Sequence, residues 1–141
     1  MSDRKFYLFL AVQILAAGIL LSWLWSRPGS WNLSRYIGFG LVVVGLAFVF
    51  TARYQLGKSF SVTPQARALV THGLYSRIRN PIYVFGTLVI LGVILIFQRS
   101  YLWVLLAVLI PVQILRARRE AAVLEEKFGE GYRQYRRKTW F

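Results

Sequence analysis

Phe6 to Trp25 is a run of twenty residues interrupted only by Gln13, Gly18 and Ser22. At ~1.5 Å per residue it reaches ~30 Å, the thickness of one hydrocarbon core. Such a run leaves few folds open, because backbone in lipid must satisfy its own hydrogen bonds and therefore forms a helix. Tyr36–Ala52, Ile82–Phe97 and Tyr101–Leu115 are further apolar blocks. The last two are separated only by Gln98-Arg99-Ser100 and read as a tight helical hairpin, with one re-entrant segment as the alternative. The expected fold is an all-α integral membrane protein of about four transmembrane helices, near 6–25, 36–52, 82–97 and 101–115. A loop over 53–81 and a C-terminal helix and tail over 116–141 complete a single domain, 1–141. The first block exceeds the ~7–15 residues of a signal-peptide core, and "SWLWSRPGS" offers no small-x-small cleavage site, so it is expected to remain as a helix.

The formal net charge of +13 would suit a nucleic-acid binder. Its distribution says otherwise. Of eighteen basic residues, fifteen fall in three segments: Arg4 and Lys5; Arg53, Lys58, Arg67, Arg77 and Arg79; and Arg116, Arg118, Arg119, Lys127, Arg133, Arg136, Arg137 and Lys138. Arg27, Arg35 and Arg99 occupy the other two loops. Four spans put the basic-rich segments on one side, and the positive-inside rule makes that side, with both termini, cytoplasmic. The charge then reflects topology and attraction to anionic head groups rather than nucleic acid. The expected location is a bacterial inner membrane.

With no Cys and one His, disulfides, thiolate nucleophiles and multi-histidine metal sites are excluded. Any chemistry must use Arg, Glu, Tyr, Asn and backbone groups together with a cofactor. The polar stretch "TARYQLGKSFSVTPQARALVTHG" is long and carries apolar anchors, which suits an ordered functional loop. Pro111 inside the fourth block should loosen the helix. Beyond it "RARREAAVLEEKFG" keeps helical spacing through Ala121, Leu124 and Phe128, with Gly129 as C-cap. The closing "YRQYRRKTWF" has the composition of an interfacial anchor.

Several groups converge at one mouth. Arg116 and Glu120 are four apart and share a helical face, as a surface ion pair or as part of a site. In "RNPIY", Pro81 opens a helix and Asn80 is its natural N-cap. Tyr75, Arg77, Arg79 and Tyr83 crowd the same place, as interface anchors or as ligands. His72 reads as a loop hydrogen-bonder, Gly38-Phe39-Gly40 as a helix-packing element, and Glu125, Glu126 and Glu130 as a solvated face.

"LVTHGLYSRIRNPIY", a short apolar hairpin and then "RARREAAVLEEKFGEGYRQY" together resemble the isoprenylcysteine carboxyl methyltransferase and phospholipid methyltransferase superfamily, integral-membrane enzymes that use S-adenosylmethionine (SAM). The resemblance covers roughly Leu56 to Tyr135. It implies SAM-dependent methyl transfer to a lipidic or lipidated acceptor at the membrane–cytosol interface, with membrane lipids as surroundings and no metal. It places Ala68, Leu69, Val70, Tyr75, Asn80, Pro81, Ile82, Tyr83 and Glu120 at the cofactor, the C-terminal helix closing a cofactor cup, and Arg116 at the acceptor. It implies no acid–base or nucleophilic residue. Two positions depart from the family pattern: Asn80 stands where many members have His, and Ala121 where many have a second Glu. A non-catalytic membrane scaffold or subunit, and a related NADPH-dependent membrane reductase, are the competing readings.

Overall fold

The computed structural model of the chain describes residues 3–57 and 69–141. Its elements are α1 (Asp3–Ser26), α2 (Leu33–Leu56), a 3₁₀ turn at Gly73–Ser76, α3 (Pro81–Phe97), a second 3₁₀ turn at Ser100–Leu102, α4 (Trp103–Phe128) and α5 (Glu130–Lys138). No strand occurs among the described residues, only one parallel bridge between Ile78 and Trp140. The all-helical expectation holds. Three helical stretches are long and apolar enough to cross a membrane: Asp3–Ser26, Leu33–Leu56 and Ser100–Phe128. The fourth apolar helix, α3, has 17 residues and is therefore ~26 Å long.

The α1–α2 hairpin is closed by a residue that the sequence suggested lay in the loop. Arg35 is instead in the first turn of α2 and only 4% exposed. Its guanidinium donates to the carbonyls of Leu24 (3.4 Å), Arg27 (2.7 Å) and Gly29 (3.2 Å) and lies 4.1 Å from the Trp31 ring centroid. Carbonyls at the end of α1 lack helical partners and carry partial negative charge, so a cation there satisfies both needs. Asn32 caps α2 through its side-chain oxygen, which accepts from Arg35 N at 2.9 Å. The same amide pairs reciprocally with Gln98, at 3.1 and 3.0 Å, and so joins the two interhelical loops at one end of the bundle.

Helices α2 and α3 share the closest packing, and glycine makes it possible. A Cβ on Gly38 would stand 2.5 Å from the Gly92 carbonyl oxygen, and one on Gly92 would stand 2.5 Å from the Gly38 oxygen. Gly45 is nearly as tight, with an added Cβ 2.7 Å from a Val89 methyl, whereas Gly40 faces open space. The helix-packing role expected of Gly38-Phe39-Gly40 thus belongs to Gly38. Leu24, Val42 and Ile96 form the buried centre, flanked by Phe39, Leu46, Val89 and Val93.

The outer faces of α1 and α4 are apolar and exposed, with Leu8, Val12, Leu15 and Ile19 on one and Val104, Leu105, Val108 and Val112 on the other. Water would penalise these faces, but hydrocarbon does not. Pro111 lies inside α4 without ending it. The helix stops at Gly129, whose φ of 54° is easy only for glycine and whose N–H bonds Glu125 O at 2.8 Å.

Candidate active site

Three polar side chains meet where α3 begins and α4 leaves its apolar segment. Pro81 starts α3 and places Tyr83 in its first turn. The Tyr83 hydroxyl donates to Glu120 Oε1 at 2.7 Å. Arg116, one turn before Glu120, donates from Nε to the same oxygen at 3.1 Å, and its guanidinium carbon lies 5.9 Å from the Tyr83 ring centroid. The Arg116 and Glu120 side chains are 35% and 26% exposed, so the pair is neither a free surface bridge nor a buried one. Glu120 Oε1 accepts both bonds, while Oε2 has no hydrogen-bond partner among the described residues. One carboxylate oxygen is thus left without a donor among the described residues.

Tyr75 stands behind this cluster in the 3₁₀ turn and is 6% exposed. Burial holds its hydroxyl well above the usual tyrosine range, helped by Tyr135 and the Glu120 carboxylate and opposed by Arg53. It thus stays a neutral phenol. The turn is fixed from α2, where Gln55 Oε1 accepts from Leu74 N at 2.8 Å. Gly73, at φ 61°, passes so close to the Gln55 side chain that a Cβ would collide with it.

Asn80 departs from expectation. Its backbone carbonyl accepts from Tyr83 N and Val84 N, as an N-cap residue should, but its side chain makes no capping bond. The side-chain Nδ2 and the backbone N–H both donate to Phe141 O, each at 2.9 Å. Arg79 N donates to Trp140 O at 3.0 Å and Trp140 N to Arg77 O at 2.7 Å. A carbonyl from the far end of the chain has taken the amide that local geometry assigns to the helix.

The tail, read from composition as an interfacial anchor, is mostly the helix α5. Tyr132 and Tyr135 are buried on its inner side, at 2% and 9% exposure, and only Trp140 is a wholly exposed aromatic. Tyr135 Oη donates to the Tyr75 carbonyl at 2.7 Å. Glu125 and Glu130 are not simply solvated: Arg133 bonds both, at 2.9 and 3.3 Å, and Arg136 reaches Glu125 at 3.6 Å across the corner between α4 and α5.

The structure therefore brings Tyr83, Glu120 and Arg116 into contact, with Tyr75 close behind. Pro81 is buried and Ile82 half-buried beside them. Leu69 and Val70 are half-buried ahead of the 3₁₀ turn and make no hydrogen bond to the cluster. Ala68 lies outside the described residues. A cleft of about 410 Å³, lined by Asp3, Phe6, Tyr7, Tyr54, Gln55, Gly57 and His72, opens on another side of the turn and includes none of the expected site residues. Tyr135, Trp140 and Phe141 were missed. The three-residue spacing of Tyr132 and Tyr135 before a basic run was the available signal for a buried helical face.

The phospholipid methyltransferase family model matches residues 33–131, most of the chain. No curated protein and no solved structure gives a match.

Proposed function

The chain belongs to the phospholipid methyltransferase family, whose members are membrane methyltransferases, and from that premise we propose that it transfers a methyl group from SAM to a lipidic acceptor at the membrane–cytosol interface. The observation that carries this reading is the convergence of Tyr83 and Arg116 on one oxygen of Glu120. A half-exposed carboxylate with its second oxygen open is a fitting receptor for an ammonium group. Arg79, whose buried Nε has no hydrogen-bond partner, suits a carboxylate. The neutral, buried Tyr75 supplies an uncharged wall. SAM has the matching ammonium and carboxylate, and when bound it supplies a methyl group on an electron-poor sulfonium.

In this reading Glu120 holds the cofactor's ammonium and Tyr83 fixes the carboxylate's rotamer. Asn80, Pro81 and Ile82 set where Tyr83 enters, and Ala68, Leu69 and Val70 approach from the preceding segment. Arg116, nearer the apolar part of α4, faces the acceptor. With no nucleophile or paired acid and base among these residues, catalysis consists of positioning and exclusion of water. A carboxylate acceptor needs no proton removed, so the residue set favours O-methylation of an isoprenylcysteine-like acid over N-methylation.

Four spans with both termini cytoplasmic complete the proposal. The Asn32–Gln98 pair supports it, since it gathers the two loops poor in basic residues at the end opposite Glu120. The test is titration of the purified protein with SAM and, separately, with NADPH. Saturable SAM binding without NADPH binding is expected. Binding of NADPH alone would favour a reductase, and binding of neither would favour a scaffold.

A further inference from the structure

Two polar side chains face each other in the otherwise apolar hairpin. Thr87 is one turn beyond Tyr83 on α3, and Gln113 is one turn before Arg116 on α4. The Thr87 hydroxyl lies 2.8 Å from Gln113 Oε1 and 2.8 Å from the Tyr83 carbonyl oxygen. Helix α3 thus contributes Tyr83, and α4 contributes Glu120 and Arg116, to an upper rung, while each helix contributes one residue to a lower rung, Thr87–Gln113. The rungs are ~5–6 Å apart along the seam.

A lone interhelical hydrogen bond would need no explanation beyond holding α3 to α4. This one leaves donors over. The Thr87 hydroxyl has a single hydrogen, so it bonds the Tyr83 carbonyl while the Gln113 amide turns to donate to it, or it bonds Gln113 itself. The Gln113 amide nitrogen has no hydrogen-bond partner among the described residues and is not sealed from its surroundings. In either orientation at least one amide N–H of Gln113 is spare, and at membrane depth that is costly unless something oxygen-bearing occupies the seam.

We propose that Thr87 and Gln113 form a second recognition rung that hydrogen-bonds a linker oxygen of the acceptor, one helical turn toward the bilayer centre from the methylated atom. This rests on the methyltransferase reading and narrows its acceptor class. The acceptor is a lipid with an amide, ester or phosphodiester oxygen a few bonds from its reacting head. A simple fatty acid or alkylamine, whose tail begins at once, leaves the rung unpaired. Selection of this kind is strong, because a site built to hydrogen-bond rejects an analogue that leaves its polar groups bare.

The test uses two matched pairs of acceptors with labelled SAM: N-oleoylglycine against oleic acid, and lysophosphatidylethanolamine against oleylamine. The wild-type protein should favour the linker-bearing member of at least one pair by about tenfold or more in kcat/KM. Thr87→Val with Gln113→Leu should compress that preference to within about threefold, mainly by raising KM for the linker-bearing lipid, while leaving SAM affinity within about twofold. Gln113→Met alone, close in volume, serves if the double variant does not purify, and Thr87→Ser should retain the preference. A preference that survives the substitutions while the melting temperature falls makes the pair an interhelical tie and overturns the proposal. A wild-type protein that binds SAM but shows no such preference overturns it too, leaving the cofactor reading intact. Failure to bind SAM removes both.

Discussion

The Tyr83 hydroxyl donates to Glu120 Oε1 at 2.7 Å across 37 residues of sequence, joining the first turn of α3 to the polar second half of α4. With Arg116 on the same oxygen, Glu120 is held from both sides while its other oxygen has no donor among the described residues. A carboxylate fixed in this way loses little side-chain freedom when it meets a cation.

Glu120→Gln should weaken SAM binding by about 1–3 kcal/mol, since it removes a charge-assisted bond. Calorimetric titration in detergent checks this. Glu126→Gln, at an exposed position, is the control and should change affinity less than about twofold. Glu125 is unsuitable for that purpose because it pairs with Arg133 and Arg136. Equal effects at 120 and 126 would remove Glu120 from the cofactor site.

Arg116→Ala should keep SAM affinity within a few-fold and impair methyl transfer chiefly through the acceptor's KM. Arg116→Lys should restore only part of the activity, because an ammonium cannot reproduce the planar fork that spans Glu120 and the Tyr83 ring. Loss of SAM binding in the Ala variant, with normal acceptor handling at saturation, would assign Arg116 to the cofactor instead.

The apolar blocks predicted the helices well, because lipid leaves a twenty-residue apolar run no alternative. Gly129 ended α4 as its sequence context indicated, for the equally local reason that few other residues tolerate its φ. The partners of individual side chains were less legible. Asn80 before Pro81 has every local mark of a capping side chain, yet a carbonyl sixty-one residues later takes its amide. Arg35 looked like a loop charge until the ends of α1 and α2 met around it. Thr87 and Gln113 carried no local signal, since their pairing depends on the register between two helices. Glu120, Arg116 and Tyr83 were singled out through motifs, and the structure adds that Tyr83 and Arg116 both bond one oxygen of Glu120.

Burial pushes the Tyr135 phenol from an ordinary value of 10.0 up to about 12, with nearby Tyr132 adding to the rise and Arg79 opposing it. Because the folded value is the higher one, the stabilisation is complete below pH 10 and is lost as pH climbs through about 12. Tyr135→Phe also loses the bond to the Tyr75 carbonyl, about 1 kcal/mol. The melting temperature of the wild-type protein should therefore exceed that of the variant at pH 8, and the gap should close between pH 10 and 12. A constant gap across that range would mean that the hydroxyl does not titrate with unfolding.

Gly92→Ala should destabilise the fold by about 1–3 kcal/mol, because its new methyl meets the Gly38 backbone oxygen, which cannot swing aside as a side chain could. Gly40→Ala, with nothing within 4 Å of the added carbon, should be neutral or slightly stabilising. Thermal melts in one detergent compare the two, and a Gly92→Ala variant as stable as wild type would show that α2 and α3 are not in backbone contact.

Asn80, Arg79 and Arg77 are tied to Trp140 and Phe141, the last residues in the sequence. A ribosome delivers the N-terminal end first, so the apolar helices, three of them long enough to cross a bilayer, are made before that tie exists. A nascent chain is thus committed to the membrane while its Asn-Pro-Ile-Tyr turn is still unfastened. Translation must reach Trp140 and Phe141 before the mouth takes its final shape. A product interrupted short of Thr139 would carry the apolar helices and the Asn-Pro-Ile-Tyr turn without the contacts that fasten the turn.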